Sequence, residues 1–569
     1  MLKIFKDNFE KTIAIIAILF ASCMALYAHR LGLTLALTDQ SAHLNFARLT
    51  FDSFTPGLSQ IGFWPPLLHI LMIPAVAIKP LYISGFAGFV TLIPFLIAGA
   101  ILLYRLVMLL TGNKNLSFLS SLILLINPYI LYYTATPMAE VLFISNLIAV
   151  AYFFSLWIER GGGLRYLILC GIFVSLASLS RFEGLILLPI LFTFILLKFF
   201  WNKKKWPEIE AVGILFGFVA VLGLAFILIF SWVYSGNALT FAGGGWWLRS
   251  PVEGVKLAQG NLLLSLEYVL HALYYMVGKP FTIISLSLIG PLLILFRNRM
   301  RLIAPLIILA SPMLFIIYSL FNGSVPMNLP ELPPVNGFLN ERYVLSFISF
   351  IALELPLFIY LFNKRLSFKR ILYSKLLISV FIIFTLLFIF QHFYSVVIVK
   401  DFETIRRNTG VPSDGQLQLA DYLAENYDYG KILAVRVDND PVFVAAGLSL
   451  RHYIHEANFR FYDQVYYQPW FFSRWVVMYN SDDTTDKWAR LQEPVSTRWR
   501  NDQWFHKYYE LVYVNHKKEL YRIKEGAIRK LASDKGYKVD AIPSINPSIE
   551  TWDESKIYKE IGLDGGDKN

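Results

Sequence analysis

Residues 11–48, KTIAIIAILFASCMALYAHRLGLTLALTDQSAHLNFAR, place an apolar run of membrane-spanning length directly before a short acidic and polar stretch. A span needs about 20 apolar residues at ~1.5 Å rise, and residues 11–29 meet that need. AlaLeuTyrAla (25–28) is a poor cleavage site, so the run reads as an uncleaved anchor rather than a signal peptide. The same alternation of apolar run and polar cluster continues along the chain. Runs near 84–110, 116–134, 140–158, 165–180, 184–201, 211–233, 281–296, 302–321, 343–362 and 372–392 bring the expected spans to about eleven. The fold class this predicts is an α-helical polytopic membrane protein.

Composition agrees. With 56% hydrophobic and only 16% charged residues, a chain of 569 residues is too apolar for a string of soluble domains. Residues 1–392 carry 27 Lys and Arg against 14 Asp and Glu, whereas 393–569 carry 24 against 26, so the two parts are built for different solvents. The basic excess sits in short clusters between apolar runs, where it orients helices in a bilayer; nucleic acid is not implied as a partner. Cys23 and Cys170 both fall inside apolar runs, which leaves no disulfide framework.

Orientation follows from the basic residues. With Lys3, Lys6 and Lys11 cytoplasmic, one side of the membrane collects 19 Lys and Arg of residues 1–392 and the other only 8, which predicts a cytoplasmic N-terminus and an extracytoplasmic C-terminal part. Residues 62–80 are apolar, but Pro65, Pro66, Pro74 and Pro80 break them, and a crossing there would invert the later charge pattern. They read as an amphipathic or re-entrant segment on the outer surface.

Three parts are expected: a transmembrane module over 1–392, a small outward α/β domain over 393–525 and a mobile tail over 526–569. In the domain, residues 414–423 have helical period, 431–437 and 474–478 read as buried strands, and 509–514 with 519–523 read as a hairpin around AsnHisLysLys. The tail is polar and contains prolines.

Carboxylates near a membrane are the first candidates for chemistry, because burying one in hydrocarbon is costly unless it faces water or a partner. Glu140 is the only charge between Lys114 and Glu159 and is either a helix N-cap carboxylate or a cavity-lining group. Asp39 follows the first span, with His43 four residues on and on the same helical face, so the pair either caps a helix or shares a proton, a metal or a substrate hydroxyl. No third strong ligand has matching spacing, so no metal or other cofactor is expected. SerArgPheGluGly (180–184) places Arg181 and Glu183 between two apolar runs, as an ion pair closing the turn or as part of a site. AsnGluArgTyr (340–343) places Glu341, Arg342 and Tyr343 at the mouth of the tenth span, where an arginine either snorkels or grips a phosphate with its fork. GlyGlyGlyTrpTrp (243–247) suits a lid, sugar stacking or an interfacial belt. Walker A, GxGxxG, HExxH and GxSxG sequences are absent, which leaves a nucleotide-driven pump or soluble-type protease unsupported.

The order of these features resembles the GT-C superfamily of polytopic glycosyltransferases, in particular the protein O-mannosyltransferases and lipid A aminoarabinose transferases. The resemblance rests on the first span, the outer Asp39, the TrpProProLeuLeu stretch (64–68), the ArgPheGluGly turn and the GluArgTyr motif, and it covers residues 1 to about 392. It implies Asp39 as general base. Asp39 is followed by Gln40 where many relatives have a second acidic residue, so Glu140 becomes the candidate for that carboxylate. Trp64 stands where many relatives have His. Oligosaccharyltransferases of similar fold carry a TrpTrpAsp-type motif, whereas TrpTrp (246–247) is followed here by LeuArg, which argues against that branch.

The implied activity is inverting transfer of a sugar from a polyprenyl-phosphate donor to a hydroxyl on a glycan, lipid or protein acceptor, at the outer face of the membrane. Asp39 with Glu140 would do the acid–base work, Arg342 and Arg181 would hold the departing phosphate, and His43, Glu183, Glu341, Tyr343 and Trp64 would line the substrate. The rival is a lipid-linked sugar transporter or flippase with a receptor-like outer domain. That reading requires charges at mid-membrane, and Glu354 is the exception among span interiors otherwise nearly free of them.

Overall fold

A computed structural model of the chain describes residues 7–62, 64–159, 163–201, 203, 205–239, 257–296, 299–332, 337–365, 371–436, 439–480 and 493–552. Two compact units form: Met1–Ala36, Phe63–Ala75 and Ser84–Gly410 make a helical unit, and Leu37–Gly62, Val76–Ile83 and Val411–Asn569 make the second.

Among its described residues the helical unit contains eight helices long and apolar enough to cross a membrane: Asn8–Arg30, Phe86–Thr111, Glu140–Glu159, Phe182–Trp201, Leu262–Leu292, Met300–Phe321, Glu341–Phe362 and Ile382–Val399. Two bent pairs, Lys114–Leu125 with Pro128–Ala135 and Trp206–Ala220 with Leu222–Val233, raise the number to as many as ten. The chain is a multi-pass membrane protein. Each of the eleven apolar runs coincides with one of these helices or with the shorter Leu164–Ser180. The 60° bend at residues 126–127 has a local cause. Asn127 accepts hydrogen bonds from the backbone N–H groups of Tyr129 and Ile130, and Pro128 takes the first helical position, so a new helix starts inside the apolar run.

Residues 62–80 yield only the ten-residue helix Leu67–Val76 with Pro74 inside it, too short to cross. It packs Leu68 against Leu92, Ala139 and Leu142. At the N-terminal end of the first helix, Glu10 is buried and takes a two-pronged grip from Arg105, with Nε and Nη2 each 2.8 Å from a carboxylate oxygen. The last span continues past the expected residue 392, through a π-turn at Ser395–Val399.

The second unit is built on a five-stranded mixed sheet. Its strands are β1 (Ile432–Leu433), β2 (Tyr453–Ile454), β3 (Trp475–Tyr479), β4 (Tyr509–Val514) and β5 (Lys518–Ile523), in the order β2-β1-β3-β5-β4. β1 pairs parallel with β2 and β3, and β5 runs antiparallel to both β3 and β4. The expected hairpin is β4–β5, turned by Asn515, whose side-chain oxygen accepts from the N–H groups of Lys517 and Lys518. The expected helix is Asp414–Asn426, opened by a Ser413/Gln416 capping box.

The second unit draws on residues outside 393–525 in two places. First, the polar segment after the first span belongs to this second unit. Its helix Thr38–Arg48 packs on the helix Asp440–Ala446, and Asn45 donates to the Asp440 carboxylate at 2.6 Å and to its carbonyl at 3.1 Å. Tyr82 in turn donates to Asn45 at 2.5 Å. Second, residues 526–552 of the expected tail pack on this unit, while 553–569 lie outside the described residues. The packed part comprises the helix Glu525–Lys535 and a following coil whose Ile528, Ala532, Ile542, Ile545 and Trp552 enter the same apolar core as Phe472, Val476 and Trp499. A handful of well-spaced apolar residues suffices to dock an otherwise polar segment.

Candidate active site

In the helical unit, four sequence-selected residues meet where three spans begin. Glu140 is the first residue of Glu140–Glu159, Arg181 immediately precedes Phe182–Trp201, and Glu341 and Arg342 open Glu341–Phe362. The first and third of these helices are the most enclosed of the bundle, each with 89% of its apolar window buried, so their first residues are held at the mouth of the core.

The side chains form one network. Arg181 donates from Nη1 to Glu140 at 2.7 Å and from Nε and Nη2 to Glu183 at 3.0 and 2.8 Å. Arg342 donates from Nε to the same Glu140 oxygen at 3.1 Å. Tyr343 lies under both guanidiniums, with ring centroid 4.5 Å from Arg181 and 5.3 Å from Arg342. Glu140, Glu183, Glu341 and Arg342 are all buried. The Glu140 and Glu183 carboxylates and the two guanidiniums are tolerable out of water because they pair with one another, and removing one partner strands the others.

Local backbone features aim these groups. In the ArgPheGluGly turn, a Cβ on Gly184 would stand 2.5 Å from the Ala177 and Ser178 backbone, so only glycine lets the turn fold back on Leu164–Ser180. Asn340 adopts the left-handed region at φ 61° and donates to the Pro326 carbonyl at 2.9 Å, which swings the chain into Glu341–Ser346.

Two features of this cluster carry unmet hydrogen-bonding capacity. Both oxygens of Glu341 and one of Glu140 are buried without a hydrogen-bond partner. So is the hydroxyl of Tyr133, which lies within electrostatic reach of Glu341, Arg342 and Glu140. Sequence reasoning passed over Tyr133. The signal for it was the polar-ended ProTyrIleLeuTyrTyrThr run at the close of an otherwise apolar stretch.

Trp64 also belongs to the helical unit and is half-buried. Asp39 and His43 belong to the second unit. Asp39 occupies the first turn of Thr38–Arg48, where the helix dipole favours a carboxylate, and is half-buried, while His43 one turn on is buried. Within that unit Asp39 acts electrostatically on Asp440. Burial pushes the Asp440 carboxyl up to about 6; Arg436 and the Asn45 hydrogen bond pull it down, and Glu456 and Asp39 add to the rise. Arg436 stacks 3.9 Å over Phe46 with its Nε 3.6 Å from Asp440. Among the described residues no group of three or more His, Cys, Asp or Glu is placed to hold a metal ion. GlyGlyGlyTrpTrp (243–247) lies outside the described residues.

Residues 68–224 match the family described as dolichyl-phosphate-mannose-protein mannosyltransferase. The fold is similar to that of the archaeal oligosaccharyltransferase AglB from Archaeoglobus fulgidus, at 14% identity and a TM-score of 0.50, covering 89% of this chain and 73% of that one. It is also similar to that of ArnT from Cupriavidus metallidurans, at 12% identity and a TM-score of 0.52, covering 89% of this chain and 97% of that one. The chain has a GT-C-like fold. Among curated proteins no sequence matches. Identities this low carry the GT-C-like fold alone.

Proposed function

We propose that this GT-C enzyme transfers a sugar from a polyprenyl-phosphate donor to an acceptor hydroxyl on the outer face of the membrane, with inversion at the anomeric carbon. The observation that carries the reading is the buried network of Arg181 and Arg342 at the mouth of the bundle core. An amphiphilic donor with its tail in lipid would present an anionic phosphate at that depth, and guanidinium forks are the groups that match it. The AglB structure of similar fold is a complex with an inhibitory peptide and a dolichol-phosphate, which supports a lipid phosphate as the ligand class.

In the reaction the acceptor O–H loses its proton to Asp39 as its oxygen bonds to the anomeric carbon. The bond from that carbon to the phosphate oxygen breaks, and its electron pair leaves with the lipid phosphate, whose charge Arg342 and Arg181 neutralise. Glu140 and Glu183 hold the two guanidiniums in place. The outward orientation rests on the asymmetry of basic residues.

One observation favours the rival transporter: Glu354 is fully buried in the middle of a span, with Ser285 hydrogen-bonded to one oxygen. Proteoliposomes carrying a panel of polyprenyl-phosphate monosaccharides with peptide, glycan and lipid acceptors separate the two. Free polyprenyl phosphate appearing with a glycosylated acceptor supports the enzyme. Movement of intact donor between leaflets, without cleavage, replaces it.

A further inference from the structure

A cavity opens in the helical unit, lined by Tyr129, Tyr274, Tyr275, His392, Ser395, Lys400 and neighbouring residues of 396–404. Two π-turns, Tyr274–Gly278 and Ser395–Val399, contribute to its wall. Such widened turns expose backbone and re-aim side chains and are frequent at functional sites. The turn Tyr274–Gly278 also packs on Glu341–Ser346, and Tyr129 feels the charge of Glu341, so the cavity adjoins the arginine–carboxylate network.

The lining has the chemistry of a carbohydrate site. Tyr129, Tyr274 and Tyr275 supply aromatic faces with a hydroxyl at the edge. His392 is held by a backbone hydrogen bond to Met276, while its Nε2 is buried without a partner. Gly278, at φ +105°, makes room for that ring, since a Cβ there would stand 3.1 Å from it. Thr404 donates to the Tyr129 hydroxyl at 2.8 Å, and Tyr275 is hydrogen-bonded to Glu331. The local charges balance: Lys400 lies 3.9 Å from Glu403, which Arg407 also grips at 2.6 Å, and Glu331 supplies the second carboxylate. A neutral, hydroxyl-rich ligand suits this balance better than an anion. The cavity volume of about 60 Å³ equals about four to six water sites at ~10–15 Å³ each, room for one ring and not for an oligosaccharide.

We propose that this cavity is the recognition subsite for a single neutral sugar ring, the headgroup of the lipid-phosphate donor. The inference rests on the donor reading above and adds to it the size and charge class of the sugar. Its test is binding rather than turnover. Purified full-length protein in nanodiscs is titrated with dolichyl phosphate and with dolichyl-phosphate mannose, glucose and galactose. At least one sugar-bearing lipid should bind about tenfold more tightly than bare dolichyl phosphate. His392→Phe and Tyr275→Leu should each erase that difference while leaving affinity for bare dolichyl phosphate unchanged, which also reports that the variants are folded. Lys400→Gln, at the exposed rim, provides a third variant with little bearing on folding and should reduce the difference. Equal binding of bare and sugar-bearing lipid by the wild type would overturn the subsite and leave the donor reading standing, as would discrimination that survives all three variants. Failure to bind any lipid phosphate would remove the donor reading and the subsite with it.

Discussion

Glu140→Gln tests the network at its hub. The substitution keeps an oxygen able to accept from Arg181 and Arg342 but removes the charge that strengthens both bonds. A bond from a charged guanidinium to a neutral amide oxygen remains charge-assisted, so each of the two bonds loses only part of its ~1.5–3 kcal/mol and the substitution should cost about 1–2 kcal/mol. Glu140→Ala strands two buried guanidiniums and should cost about 3–5 kcal/mol. Thermal unfolding of the purified protein should therefore rank wild type above Gln and Gln above Ala. Transfer should fall by about tenfold or more in the Gln variant, because a ~1.4 kcal/mol loss of transition-state stabilisation is tenfold in rate. A Gln variant matching wild type in both melting and transfer would refute the hub role. A variant that melts earlier but turns over normally would confine Glu140 to stability.

Arg342→Lys keeps a charge and loses the fork; it should weaken donor use substantially, with Arg342→Ala worse, and indistinguishable donor titrations in all three proteins would remove Arg342 from the phosphate site. The raised Asp440 carboxyl sets a pH dependence. Because its folded value of about 6 lies above the ordinary carboxylate value, the stability it contributes is present at pH 4 and lost as pH rises through 6. Asp440→Asn should thus melt near wild type at pH 4.5 and be more stable at pH 7.5 by about 2–3 kcal/mol, and a gap independent of pH would contradict this. For orientation, in a Cys23→Ser background, Lys203→Cys should resist an impermeant thiol reagent in intact cells and Glu425→Cys should react; the reverse pattern would invert the assigned faces.

The membrane part was legible because solvation by hydrocarbon is a local property: a run such as 302–321 announces its helix whatever surrounds it. The carboxylates and arginines of 140, 181, 183, 341 and 342 were legible one by one for the same reason, as charges where charge is costly. Their convergence on Glu140 was not, because the Arg342–Glu140 bond joins positions 202 residues apart. Nor was the docking of Thr38–Arg48 into the second unit, which depends on Asn45 meeting Asp440 across 395 residues. Residues 526–552 read as part of a tail because their core contacts come from few, scattered apolar side chains, Ile528 and Ala532 one turn apart and Trp552 alone. The cavity beside Tyr274–Gly278 was hidden for another reason: a π-turn leaves no pattern in an apolar run.

The central claim is that Asp39 takes the proton of the acceptor hydroxyl. Asp39→Asn preserves the shape of the side chain and its place in the first turn of Thr38–Arg48 while removing the proton acceptor. Single-turnover transfer from a polyprenyl-phosphate sugar, measured beside equilibrium binding of the same donor, should show a rate reduced by about 10² or more with donor affinity unchanged. A rate within a few-fold of wild type would leave Asp39 only its favourable place in the first turn of the helix and contradict the mechanism.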